Sequence, residues 1–471
     1  MTRAASPQTL AGRFPDDFLF GVATASYQIE GAAEADGRKP SIWDAFSHMP
    51  GRVKGGDTGD VACDHYNRLE ADLDLMADLG AKAYRFSLAW PRLLPDGTGP
   101  INEKGFDFYD RLLDGLKSRG IEAFATLYHW DLPLALMGRG GWTDRTTAVA
   151  FAEYAGLATR RLGDRLDTIV TFNEPWCSVY LGHLTGVHAP GERSIEAAMS
   201  ALHVTNLAHG LGVRAIRAER PEIPVGIVLN AMSVMAETER EADLNAEIRA
   251  NDFHNGVFFG PLFEGAYPAS VLQACPDLAE SIRDGDLETI SQPLDFWGLN
   301  YYTPMRVRDD PDSSFPHVAT APAVKPEKTD IGWEIEPRGL SHVVRYLYDR
   351  YRLPDFYITE NGAADNTEIE NGAVSDTMRL DYVSTHLSVA ADLVSENYPL
   401  KGYFGWSLMD NFEWAEGYSM RFGLVHVDYQ TQRRTIKQSG YWYRDLIAAH
   451  SGRLISAPRS RGRRDLPRRR W

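Results

Sequence analysis

Eight short stretches of the chain are apolar almost without interruption. They are "FLFGVAT" (18–24), "AKAYRFS" (81–87), "EAFATLYH" (122–129), "TIVTFNE" (168–174), "PVGIVLN" (224–230), "DFWGLNY" (295–301), "FYITE" (356–360) and "GYFGWSL" (402–408). A continuous apolar run, rather than strict alternation, predicts a strand buried on both faces, as in a parallel sheet. Between most of these runs the apolar positions recur at helical spacing. In 66–80 the residues Leu69, Leu73, Met76 and Leu79 form one stripe that ends at Gly80. The segment 143–163 opens on Thr143 and Asp144, both capping residues, and closes on Gly163. Strand and helix repeated in this way require parallel pairing through right-handed crossovers. Eight such units close into a barrel, so the expected fold class is α/β, a single (β/α)8 TIM barrel. A doubly wound open sheet is the alternative, but no Gly-rich phosphate turn follows any early strand. Two connections are long, 25–80 and 302–353, and both fall at the C-terminal rim of such a barrel. Within them, 50–60 and 309–330 read as surface excursions.

The 471 residues carry a net charge of −16, which argues against non-specific nucleic-acid binding by the body of the protein. The end differs: residues 459–471 hold seven Arg and one Asp. The expected organisation is therefore one catalytic barrel over 13–450 and a basic, flexible tail over 451–471. Cys63, Cys177 and Cys275 are too scattered for a disulfide framework or a zinc site. The first residues contain no apolar core of signal-peptide length, and no run approaches a membrane span, so a cytoplasmic protein is expected.

The chemistry is concentrated where the strands stop. "DTIVTFNEP" (167–175) ends on Asn173, Glu174 and Pro175, and "PDFYITENG" (354–362) ends on Glu360, Asn361 and Gly362. A single Glu at a strand end is ordinarily just solvated, but the same device used twice is not explained by solvation. The other strand ends supply Gln28 and Glu30, Arg85, His129 and Trp130, Asn300, Tyr301 and Tyr302, then Trp406 followed by Glu413 and Trp414. Barrel enzymes assemble their sites from such tips. Acids, amides, an imidazole and tryptophans suit a sugar, whose C–H faces stack on indole and whose hydroxyls need bidentate partners. Paired carboxylates can then cleave a glycosidic bond, one as nucleophile and the other as acid and base. The nucleophile needs a nearby cation and donors, for which Arg85 and Tyr302 are candidates. The acid needs burial or a negative neighbour.

"TFNEP" (171–175) and "YITENG" (357–362) resemble the two active-site signatures of the family 1 glycoside hydrolases, the β-glucosidase family. "FPDDFLFGVATASYQIEGA" (14–32), "LYHWDLP" (127–133), "GLNYYTP" (298–304) and "GWSLMDNFEWAEGYSMRFGLVHVD" (405–428) are similar to further motifs of that family, in the same order. The resemblance implies a retaining β-glucosidase that releases terminal non-reducing β-D-glucosyl residues through a covalent glycosyl-enzyme. It leaves β-galactosides and β-fucosides open. It implies no metal and no cofactor, and a small β-glucoside or cello-oligosaccharide as the partner, with no membrane or nucleic acid. By position, Glu174 is the acid/base and Glu360 the nucleophile. Gln28, His129, Asn173, Glu413 and Trp414 bind sugar hydroxyls, Trp406 is the stacking floor, and Tyr302 hydrogen-bonds Glu360. Arg85 and Asn300 support the carboxylates, Trp130 and Phe422 line the pocket, and Trp333 shapes the leaving-group side. Cys177 is read as packing, and Glu30 and Asp410 as structural.

Two relatives of that activity stay close. A thioglucosidase of the family lacks the acid/base, whereas Glu174 is present here. The 6-phospho-β-glycosidases carry Ser, Lys and Tyr where this chain has Glu413, Met420 and Phe422. A catalytically silent sugar-binding barrel is the rival from another class.

Overall fold

In the computed structural model, residues 5–452 are described. Eight parallel strands close into a barrel. They are β1 (Leu19–Ala23), β2 (Ala83–Ser87), β3 (Glu122–Tyr128), β4 (Thr168–Asn173), β5 (Val225–Leu229), β6 (Phe296–Asn300), β7 (Asp355–Asn361) and β8 (Leu400–Trp406). Each of the eight apolar runs coincides with one of them: six contain their strand whole, β7 extends one residue beyond its run at each end, and β8 starts two residues before its run. Neighbours in sequence are neighbours in the sheet, and β1 pairs with β8 to close the ring, Leu19 opposite Gly402 and Ala23 opposite Trp406. The open-sheet alternative is thereby removed. The basic tail expected from the sequence falls, from residue 453 on, outside the described residues.

The strands form because their residues have apolar surface to hide on both faces. Outward side chains pack under the helical ring, and inward ones fill the barrel. Phe124, Phe404, Phe296 and Tyr357 interlock inside, with ring centroids 5.0–5.6 Å apart along the chain of contacts. Glycine makes room for them: a Cβ on Gly21 would stand 2.5 Å from the Phe404 ring. The two patterned helices are present as α1 (His65–Asp78) and α2 (Arg145–Leu162). Leu69, Leu73 and Met76 are buried beneath α1, and the Asp144 carboxylate caps α2 by accepting from the Thr146 amide.

The loops at the rim hold more structure than the sequence suggests. A third long connection, 230–295, was not expected. It contributes a strand (Ser233–Ala236) that pairs with Pro304–Asp309, which in turn pairs with Val318–Thr320. The Pro-rich 309–330 is therefore part of a small sheet and not a bare excursion. The Gly/Asp-rich 50–60 is docked on the loop after β8: Asp57 accepts from the Tyr418 amide at 2.9 Å, and Lys54 pairs with Glu416 at 3.2 Å.

Candidate active site

Both strand-end carboxylates sit where the barrel's register breaks. The β4–β5 pairing shifts between Val170 and Asn173, and the β7–β6 pairing shifts between Ile358 and Glu360. Such irregularities re-aim side chains at barrel rims. Glu174 also has a left-handed backbone, φ 43°, held by its amide donating to the Val228 carbonyl at 2.9 Å. A non-glycine residue in that region is strained, and the surrounding hydrogen bonds hold it there.

The two carboxylates are buried and tied to a common hub. Arg85 donates to Glu360 Oε1 at 2.7 Å and to Asn173 Oδ1 at 2.6 Å. Asn300 donates to Glu174 Oε1 at 2.6 Å and to the same Asn173 Oδ1 at 3.1 Å. The Asn173 amide oxygen thus fixes one carboxylate's supporter relative to the other's. Thr359 orients Asn300 by donating to its Oδ1 at 2.7 Å. Tyr302 donates to Glu360 Oε2 at 2.6 Å.

The environments differ in kind. Burial and the nearby Glu360 charge push Glu174 up to about 7. Burial also pushes Glu360 up, but Arg85 and Tyr302 oppose it directly. Glu360 is the carboxylate that touches a cation, so it is the one favoured in ionised form. Glu413 is pushed up to about 8 by burial and by repulsion from Glu360 and Glu174.

Among the described residues, His129 Nδ1 and Gln28 Oε1 are buried polar atoms left unpaired at the site, and they define what a ligand must offer. Asn173 Nδ2 can only donate, so His129 Nε2, 3.0 Å away, accepts and the ring proton sits on Nδ1. Among the described residues, that Nδ1 has no partner. Burial and Arg85 hold His129 well below its usual range, hence neutral. Gln28 Nε2 donates to the Phe412 carbonyl at 2.9 Å and to Asn411 at 3.0 Å, and its Oε1 is left without a partner. A free donor and a free acceptor suit hydroxyl groups, which can serve both.

A cavity of about 720 Å³ opens over these groups. His129, Glu174, Glu360, Asn300, Tyr302, Trp406 and Glu413 line it, with Trp130, Trp414, Phe422 and Trp333. Arg85, Asn173 and Gln28 stand behind that lining and reach it through their bonds to Glu360, Asn300 and Glu413. Trp130 donates its indole N–H to the Asn173 carbonyl at 2.9 Å. Trp333 and Phe422 pack against Tyr302 at the outer side. Glu30 is bonded to Arg92 and Tyr109, and Asp410 to Lys437 and Arg421, so both are taken up in buried pairs.

Cys177 is more than packing. Its Sγ donates to Glu174 Oε2 at 3.0 Å, and it lines the cavity. The sequence carried one signal for this contact, the three-residue spacing from Glu174, but the spacing alone does not show that the chain turns helically just after Glu174. His188, Asn230, Met232 and Met305 also line the cavity and were not singled out by the sequence.

Two ionisable carboxylates held apart in character and tethered through one amide, under an aromatic roof, define an enzyme that cleaves glycosidic bonds. Comparison with known proteins reaches the same class. The profile of Glycosyl hydrolase family 1 matches residues 10–452. A β-glucosidase from Agrobacterium sp. is 64% identical over 94% of this chain and 97% of its own, and β-glucosidase A from Thermotoga maritima is 48% identical over 92% and 98%. The solved structure of virulence factor SghA from Agrobacterium tumefaciens, in complex with its substrate analogue salicin, superposes with a TM-score of 0.93 at 61% identity, covering 95% of this chain and 99% of that one. The chain belongs to glycosyl hydrolase family 1.

Proposed function

We propose that this glycoside hydrolase is a retaining β-glucosidase in which Glu360 is the nucleophile and Glu174 the acid/base. The observation that carries the reading is the unequal pair: Glu360 bonded to a guanidinium and a phenol, Glu174 bonded only to neutral donors. In the first step Glu360 attacks the anomeric carbon while Glu174 gives its proton to the departing oxygen, leaving a glycosyl ester on Glu360. Esterification removes the Glu360 charge, one of the two causes that hold Glu174 high. Glu174 is then a carboxylate of more ordinary acidity, and it takes a proton from the water that attacks the ester. Sugar leaves with its configuration kept, and Glu360 and Glu174 return to their starting states.

The free His129 Nδ1 and Gln28 Oε1, with Glu413 and Trp414, bind the hydroxyls of the non-reducing sugar, and Trp406 stacks on its face. Beyond that sugar, Trp333, Met305, Met232, Leu181 and Val187 line the cavity, an apolar wall that suits an aryl group or a second glucose of a cello-oligosaccharide. The salicin bound by the SghA neighbour is such an aryl ligand. β-Galactosides and β-fucosides differ from glucosides at the 4- and 6-positions and are the nearest further substrates. Three unbridged cysteines fit a reducing cytoplasm; no helix among the described residues is long and apolar enough to cross a membrane.

The test is NMR of the first sugar released from an aryl β-glucoside. The β-anomer is expected before mutarotation. First-formed α-anomer would exclude double displacement, and absence of hydrolysis would leave a binding protein.

A further inference from the structure

Glu174 has two oxygens, and the structure gives each its own donor. Oε1 accepts from the Asn300 amide at 2.6 Å. That amide nitrogen can only donate, so the carboxyl proton cannot lie between them. The proton that Glu174 would transfer therefore belongs to Oε2. The protein group on Oε2 is the thiol of Cys177, 3.0 Å away. The thiol is itself held from behind, where Asn230 directs its amide N–H to Sγ at 3.9 Å. Asn230 occupies the lone-pair side of the sulfur, which leaves the S–H for Glu174. Burial and the adjacent Glu174 charge push the thiol up, so it stays protonated and remains a donor.

We propose that Cys177 is a positioning residue for the acid/base: its thiol holds Oε2 of the ionised carboxylate and releases it when Oε2 takes up the proton. The inference rests on the reading of Glu174 as acid/base. A group that must act first as acid and then as base needs a partner that binds the ionised form without trapping it. A hydroxyl would bind too strongly, lowering the pKa and emptying Oε2 of its proton near neutral pH. A methyl would not bind at all. The thiol, a weak donor, lies between them. Its direction of action is the expected one, since the bond from Cys177 lowers the Glu174 pKa while burial raises it.

The predicted order follows. Cys177→Val keeps an apolar side chain and removes the donor, and it should move the basic limb of the kcat/KM profile upward by about half a pH unit or more. Cys177→Ser supplies a stronger donor and should move it downward by a similar amount. Because these shifts have opposite sign, loss of folding or general damage cannot imitate them. Thermal melts of both variants identify any that are unfolded, and Cys177→Ala then replaces the Val variant. Profiles that superimpose on the parent, or that move in the same direction for Val and Ser, overturn the inference. The parallel experiment is Glu174→Ala with azide and an aryl glucoside of good leaving group. Azide rescue together with superimposed Cys177 profiles removes only the role of the thiol. Failure of azide to rescue removes the acid/base reading and the inference with it.

Discussion

Glu174 and Glu360 are chemically the same residue, and one guanidinium separates their fates. Arg85 is buried against Glu360, and its hydrogen bonds connect to Glu174 through Asn173 and Asn300. Exchange of the two roles would therefore need more than exchange of two carboxylates. Glu360→Ala should reduce turnover of every β-glucoside by more than about 10⁴-fold, because no ester can form. Glu174→Ala should cost roughly 10²–10⁴-fold on substrates with poor leaving groups and far less on activated aryl glucosides. Azide should restore turnover of Glu174→Ala and yield the β-glucosyl azide; the same product from Glu360→Ala would reverse the assignment. The pH dependence has a definite sign. Glu174 must be protonated to act as acid and its pKa is raised to about 7, so kcat/KM should fall as pH rises through that value. The limb belongs to the interacting carboxylates jointly, not to one alone. Activity that stayed level to pH 9 would show that the proton donor is elsewhere.

At the level of elements, the site is made by how strands end. β4 and β7 each slip register at the tip, and the slip aims a carboxylate into the mouth. These two tips were legible in the sequence because each joins an apolar run to Asn-Glu-Pro or Glu-Asn-Gly. The eight strands were legible for the same reason, since residues buried on both faces leave no polar position to blur the run. The connection 230–295 was not. Its segments are short, and its strand Ser233–Ala236 finds its partner only in Pro304–Asp309, about seventy residues further on. Cys177 escaped for a different reason: Pro175 marks the end of a strand but not that the chain coils at once into the wide helical turn Cys177–Leu184. The loop after β8 makes a prediction of its own. Glu413 and Phe422 face the cavity, whereas Arg421 is turned to Asp410 at 2.7 Å and lies over Tyr429. Among the described residues of this loop no cation is left for a phosphate, and a carboxylate opposes it. The repulsion should be worth several kcal/mol before screening, on the order of a thousandfold. An aryl β-glucoside 6-phosphate should be at least about a hundredfold poorer in kcat/KM than the unphosphorylated compound after screening is allowed for. Comparable rates would show that Glu413 does not face the 6-position.

For the molecule as a whole, the barrel supports a site that works against its own stability. Glu174, Glu360 and Glu413 share one cavity, and Arg85 bonds directly only to Glu360 among them. Glu413, raised to about 8, is held at a cost once it ionises, so its contribution favours the fold below that pH and is lost as pH rises through it. Glu413→Gln should therefore raise Tm at pH 9 by on the order of 2 °C or more and leave it nearly unchanged at pH 5, while weakening sugar binding. An equal gain at both pH values would point to packing instead of charge. The closure of the ring has another side. Gln28, just after β1, bonds to Phe412 and Glu413 across 384 and 385 residues of chain, and β1, paired with β2 over Gly21–Ala23, gains its second neighbour only when β8 arrives. On the ribosome, the first strand thus waits through nearly the entire synthesis for the neighbour that completes it. A chain that stops before β8 leaves the ring open and lacks Trp406, Glu413 and Trp414.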